Sequence, residues 1–252
     1  PRDRVLQHTS AFWAASAWGQ VDIGLAFGAA LCITASGTPG AQLLRDGGVT
    51  VLGVAPSILT SLDPAEVPAL RCIFTWGEAL PPAMAARWRA SGAQVVELLI
   101  STEYWISCYS APGAPPGVFE VLDGVEWAVL PAGGGGPACP ELGMQGELCV
   151  GGPAVMRGYS GGLAPDGAAA FVEVDGRRFY RAHDIVKVVR GRQGLALEFR
   201  GRSDALVKVG GEFVNLAEVE RRLEGLEGFG GVCASVLPPN AEAEAPGRGP
   251  SA

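Results

Sequence analysis

"LRCIFTWGEALPPAMAARWRASGAQVVELLI", residues 70–100, sets two apolar runs on either side of a segment opened by two prolines. The run through Thr75 stops at Gly77. Pro81 and Pro82 then supply the fixed φ that suits a first helical turn, and Gly92 supplies an end. "AQVVELLI" (93–100) follows as another buried strand. Upstream, "VTVLGVAPSILTSL" (49–62) has the same plan, β-branched residues followed by Pro56 and Ser57. Strand-plus-helix units in a row predict an α/β fold with a doubly wound parallel sheet. Ligands of such sheets bind past the carboxyl ends of strands, so the loops after residues 75 and 100 are the places to search.

Outward from this stretch the texture changes. From about residue 117 come "GVEWAVL", "GELCVGG", "IVKVV" and "LALEFRGR", short strands with close-set Gly and Pro that predict a small, antiparallel, barrel-like subdomain. On the amino-terminal side, "IGLAFGAALCITA" (23–35) reads as a buried helix running into a strand. After Asp204, "ALVKVGGEFVN" predicts a hairpin about Gly210–Gly211, and "NLAEVERRLEGL" a helix with Asn215 as cap and Glu218 three residues on. "GVCASVLPP" reads as a returning strand, and residues 238–252 carry too little apolar content to fold.

Composition excludes several classes. The 252 residues carry a formal net charge of −7 with 48% hydrophobic and 18% charged residues, which argues against a nucleic-acid partner. The most apolar window, 23–35, is too short for a membrane span. Six cysteines form no C-x-x-C pair, and only His8 and His183 could join them at a metal, so structural zinc is not expected. Cys32, Cys72 and Cys149 sit in apolar runs as core side chains, which suits a reducing, cytoplasmic setting. The opening "PRDRVLQHTS" is too polar for a signal peptide, and both ends read as cut from something longer.

Two short motifs carry chemistry. "STEYW" (101–105) places Thr102 and Glu103 at a strand end, where a hydroxyl can donate to phosphate and a carboxylate can hold Mg²⁺; the same pair also suits a helix start. "FYRAHDIVKV" (179–188) places Asp184 in a loop before a strand, where it can accept from two ribose hydroxyls or simply from a turn.

Taken in order, "VLQHTSAFWAASAW", "FTWGEALPP", "STE", "GELCVGGPAVMRGY", "FYRAHD" and "GRSDALVKVGGEFVNLAEVE" resemble the adenylate-forming enzymes, the acyl-CoA synthetases and nonribosomal peptide synthetase adenylation domains. The resemblance covers about residues 3–237, and its most specific part is the G-R-x-D-x-x-x-K-x-x-G-x-x-x-x-x-x-E spacing from Gly201 to Glu218. It implies ATP and Mg²⁺ as cofactors, a carboxylic acid as substrate and a thiol as acceptor, either CoA or carrier-protein phosphopantetheine. Residues 1–203 would be the carboxyl-terminal part of the large domain, 204–237 the start of a small α+β domain, and 238–252 a tail, with Asp204 as hinge.

By the same resemblance Thr102 contacts phosphate, Glu103 binds Mg²⁺, and Arg202 lies near ribose and phosphate. Gly77, Glu78, Ala79 and Leu99 flank adenine, and Asp184 holds the ribose. Trp13, Ala14, Trp18, Phe74, Trp76, Leu98, Ile106 and Ser107 would line the acid pocket. Several positions depart from the family pattern. Y-G-x-T-E has become Leu99–Ile100–Ser101–Thr102–Glu103, and T-G-D has become Ala182–His183–Asp184, with His183 expected to be a plain loop residue. The F-D-x-S of amino-acid-activating members has become Trp13–Ala14–Ala15–Ser16, which removes the partner of a substrate ammonium. A small or flat aryl acid is therefore expected in place of an ordinary α-amino acid. The phosphate loop and the far carboxyl-terminal lysine of the family are not among these residues, so negligible adenylation is expected of this stretch alone. A degenerate, inactive scaffold is the alternative reading.

Overall fold

The computed structural model describes residues 3–35, 37–131, 136–160, 170–203, 206–209, 212–224, 232 and 234. The chain divides into two compact units, Pro1–Arg200 and Gly201–Ala252.

In the first unit, β1 (Arg4–Gln7), β2 (Ala30–Ile33), β3 (Val51–Val54), β4 (Cys72–Thr75) and β5 (Gln94–Ser101) run parallel in the order β2-β1-β3-β4-β5. Between β1 and β2 lie α1 (Ala14–Ser16), a π-helical segment (Ala17–Asp22) and α2 (Ile23–Ala26). The later connections carry α3 (Ala41–Asp46), α4 (Pro56–Leu59) and α5 (Pro82–Ala90), the last two opened by proline. Leu6, Leu52, Ile73 and Val95 from the strands pack with Leu44, Leu59, Ala85 and Trp88 from the helices. Each such large apolar side chain contributes about 1.5–3 kcal/mol by leaving water.

β5 is where the sheet changes sense. After Ser101 the chain turns tightly into β6 (Trp105–Tyr109), which returns antiparallel, and β7 (Val118–Val121) follows it. β8 (Glu126–Pro131), β9 (Gln145–Gly151), β10 (Phe171–Val174), β11 (Arg177–Arg190) and β12 (Leu195–Arg202) complete a 12-stranded sheet whose order continues β5-β6-β7-β12-β11-β9-β8, with β10 paired to β11. A second core fills this half, with Phe119, Val129, Leu148, Val186 and Leu197 at its centre. The antiparallel strands are thus hydrogen-bonded to the parallel ones through β5 and β6.

In the second unit β13 (Leu206–Val209) and β14 (Glu212–Asn215) pair antiparallel, and α6 (Leu216–Glu224) follows directly after Asn215. Asp204, Gly210, Gly211, most of "GVCASVLPP" and the 238–252 segment lie outside the described residues.

Two sequence expectations differ from what is found. The 23–35 stretch does form a helix and then a strand, but Leu25, Phe27 and Ile33 are 64%, 85% and 73% exposed. The helix is a single turn that meets Leu31 and Val5 through Gly24, and among the described residues β2 is an edge strand, paired with β1 alone. Second, "FYRAHD" and "IVKVV" are one 14-residue strand, β11, so Asp184 and His183 sit within a strand and not in a loop before it. Among the described residues no helix is long and apolar enough to cross a membrane.

Candidate active site

Thr102 and Glu103 occupy the turn between β5 and β6, just beyond the carboxyl end of a parallel strand, and Gly77–Ala79 follow the carboxyl end of its neighbour β4. Two unusual backbone points shape the turn. Trp105 has φ +56, and the β5–β6 register shifts between Leu99 and Ile100. A bulge next to a turn re-aims side chains, and here Thr102 lines a cavity while Glu103 turns to the loop after β9.

Hydrogen bonds fix Glu103 on both sides. Tyr159 donates its hydroxyl to Oε1 at 2.8 Å, and Ser101 donates to Oε2. The Glu103 carbonyl accepts from Met156 N–H at 2.7 Å, which ties the 152–159 loop to the turn. Tyr159 also lies 3.3 Å from the Tyr180 hydroxyl. Burial, then the bonds to Tyr180 and Glu103, push the Tyr159 phenol up, so it stays a donor. Tyr104, from the same turn and buried, donates to Asp184 Oδ2 at 3.3 Å; Asp184 is itself 4% exposed. The turn, the 152–159 loop and β11 therefore converge on one place.

The cavity beside this turn has a volume of about 610 Å³ and is mostly apolar, with walls that include Trp18, Phe27, Thr102, Trp105, Ile106 and Met156. Trp18 meets Trp105 edge-on at 4.8 Å between ring centroids. A buried polar network holds the Trp18 wall. Ser16 donates to the Thr9 carbonyl at 2.7 Å, Gln20 Nε2 donates to the Gly53 carbonyl at 2.9 Å, and the His8 ring nitrogens stand 2.9 and 3.1 Å from the carbonyls of Gly37 and Gly53. These partners explain polar residues in an otherwise apolar segment, since buried polar groups must be paired.

The remaining predicted site residues are placed as follows. Of the acid-pocket set, Trp18 and Ile106 line the cavity. Ser107 is fully buried and donates to the Tyr104 carbonyl at 3.1 Å, and Leu98 is buried in β5. Phe74 packs with Val5, Val51 and Cys72. Trp76 lies over Gly53 so closely that a methyl there would stand 2.9 Å from its Cζ3. Ala14 begins α1, while Trp13 is 62% exposed, edge-on to Phe12. Glu78 accepts from Ser57 N–H at 2.8 Å and from its hydroxyl at 2.9 Å, which satisfies the start of α4. Leu99 packs on the second core, Arg202 ends β12, and Asp204 lies outside the described residues.

Tyr104, Tyr159, Trp105 and Met156 join the site without any role legible in the sequence. Met156 and Tyr159 belong to the quoted "GELCVGGPAVMRGY" stretch, and that membership was the available signal. The groups at the turn are all oxygen, the Glu103 carboxylate with the Ser101 and Tyr159 hydroxyls on it, a donor type that suits a hard cation such as Mg²⁺. Among the described residues no three His, Cys, Asp or Glu gather to form a protein-only metal site.

Comparison with known proteins places this geometry. The family model described as AMP-binding enzyme matches residues 1–160. The phenyloxazoline synthase MbtB of Mycobacterium tuberculosis is 31% identical over 220 residues, covering 79% of this chain and 15% of the synthase. The adenylation domain AlmE of Vibrio cholerae, solved in complex with glycyl-adenosine-5'-phosphate, is similar at a TM-score of 0.67 and 26% identity, covering 87% of this chain and 44% of that one. Klebsiella oxytoca NpsA, in complex with 3-hydroxyanthranilyl-AMSN, is similar at a TM-score of 0.68 and 25% identity, covering 87% of this chain and 47% of that one. The chain thus spans less than half the length of these relatives. With a family model over residues 1–160 and these likenesses in sequence and fold, the chain belongs to the AMP-binding, adenylate-forming enzyme family.

Proposed function

We propose that this chain forms part of an ATP-dependent ligase that activates a carboxylic acid as its acyl-adenylate and passes the acyl group to a thiol, CoA or carrier-protein phosphopantetheine. The observation that carries the reading is the convergence of the Thr102–Glu103 turn with Asp184, through Tyr104 and Tyr159, beside an apolar cavity. Asp184 accepts the ribose hydroxyls, Thr102 donates to phosphate, and Gly77, Glu78, Ala79 and Leu99 border adenine. Glu103 holds Mg²⁺, which when bound neutralises charge on the phosphates. Arg202 adds a cation near the phosphates, and Asp204 is the hinge between a large domain ending at 203 and a small one over 204–237.

Ala14 leaves a substrate ammonium without a carboxylate at that position, and Trp18 and Trp105 offer aromatic walls. The acid is small or aryl, a reading supported by the 3-hydroxyanthranilyl ligand of NpsA, whereas the glycyl ligand of AlmE marks the competing amino-acid class. Burial pushes the Cys149 thiol up to about 12, so it is inert as a nucleophile and compatible with a cytoplasmic setting. The test is acid-dependent ATP–pyrophosphate exchange by the protein that carries this chain, with aryl acids and α-amino acids compared. Exchange with an aryl or small acid, lost in Glu103→Ala, supports the proposal. Selective exchange with an α-amino acid overturns the substrate class, and no exchange with any acid favours a scaffold.

A further inference from the structure

The β9–β11 pairing breaks register beside the site. Arg181 faces Cys149 and Ile185 faces Glu147, so Leu148 alone on β9 stands opposite Ala182, His183 and Asp184 on β11. The centre of this bulge is His183, whose φ of +60 lies in the left-handed region that glycine tolerates and other residues resist. Such a conformation persists only where its surroundings hold it.

Glu147, 6% exposed, is one such surrounding group. Its Oε1 accepts from the His183 backbone N–H at 3.2 Å and from Arg181 Nε at 3.2 Å, and stands 3.4 Å from His183 Nδ1. Its Oε2 accepts from Arg181 Nη2 at 2.6 Å. One buried carboxylate therefore grips the residue before the bulge and the residue at its centre. The next residue is Asp184, with its carboxylate turned to the Tyr104 hydroxyl.

We propose that Glu147 is a positioning residue: it clasps the bulge in its left-handed form and thereby presents Asp184 to the nucleotide. The proposal rests on the reading of Asp184 as the ribose acceptor. A rival account makes Glu147 and Arg181 a plain ion pair that fastens two strands, with no bearing on the bulge. The two differ in one respect. A clasp is needed only while a non-glycine residue occupies position 183, whereas an ion pair is worth the same whatever stands there.

The experiment is a double-mutant cycle of Glu147→Ala with His183→Gly, read by calorimetric ATP affinity in Mg²⁺ and by thermal melting. Glu147→Ala alone is expected to weaken ATP binding about tenfold, the left-handed cost of one residue expressed as an equilibrium factor. In the His183→Gly background the same change costs less than about threefold, and Glu147→Gln, which keeps an acceptor for the His183 N–H, lies between. Melting temperatures show coupling of the same sign. If Glu147→Ala unfolds the protein with His183 present and not with His183→Gly, the clasp is supported; unfolding in both, equal losses in both, or no loss in either overturns it. Asp184→Ala separates the two readings. Unchanged ATP affinity in that variant refutes the nucleotide site, and the melting cycle still decides the role of Glu147 in the bulge.

Discussion

Tyr159 gives its hydroxyl hydrogen to Glu103 Oε1 at 2.8 Å, across 56 positions of sequence. With Ser101 on the other oxygen, the carboxylate is aimed before any ligand arrives. Tyr159→Phe keeps the ring and removes this donor. Mg²⁺-dependent ATP affinity should fall by the worth of one charge-assisted hydrogen bond, roughly 1.5–3 kcal/mol, while the fold survives. Titration of ATP at several Mg²⁺ concentrations reads the effect, and an unchanged Mg²⁺ dependence contradicts it.

Gly53 is where the Trp76 indole meets the floor of β3. A methyl at Gly53 would overlap that ring, so Gly53→Ala forces the indole or the strand to shift. The expected destabilisation is about 1–3 kcal/mol in urea unfolding, the usual cost of overpacking. A neutral substitution would show that Trp76 can swing away freely.

Glu97, 5% exposed on β5, accepts from Gly117 N–H at 3.1 Å. Burial is the largest influence on it and raises its carboxyl above the ordinary 4.5; backbone donors and the charge of Arg89 oppose this. The folded state therefore holds this proton more tightly than the unfolded one. The resulting stability is fully present below pH 4.5 and is lost as pH rises through the folded value. Glu97→Gln cannot titrate, so the melting temperature of the wild type minus that of the variant should fall as the pH rises above 4.5. A pH-independent difference would contradict the shift.

The parallel half of the fold was legible because its punctuation is local: Pro56, Pro82, Gly77 and Gly92 mark starts and stops within a few residues of the strands they serve. The motif residues Thr102, Glu103 and Asp184 were legible as types, but their surroundings were not. Tyr104 reaches Asp184 from 80 positions away, and the bulge that carries Asp184 exists only in the pairing of β11 with β9. An alternating strand reads the same with or without such a bulge, which is why Asp184 reads from sequence as a loop residue before a strand. Likewise the apolar run at 23–35 shows that something is greasy without showing which side faces water. Phe27, read as buried, stands 85% exposed at the rim of the cavity.

The most direct measurement is Mg²⁺-dependent ATP binding to this 252-residue chain, compared with Glu103→Ala and Asp184→Ala. ATP should bind more tightly with Mg²⁺ than without. Glu103→Ala should erase that difference, and Asp184→Ala should weaken binding at every Mg²⁺ concentration. ATP binding that ignores Mg²⁺ and both substitutions, or no binding at all, would contradict a nucleotide site at the β5–β6 turn.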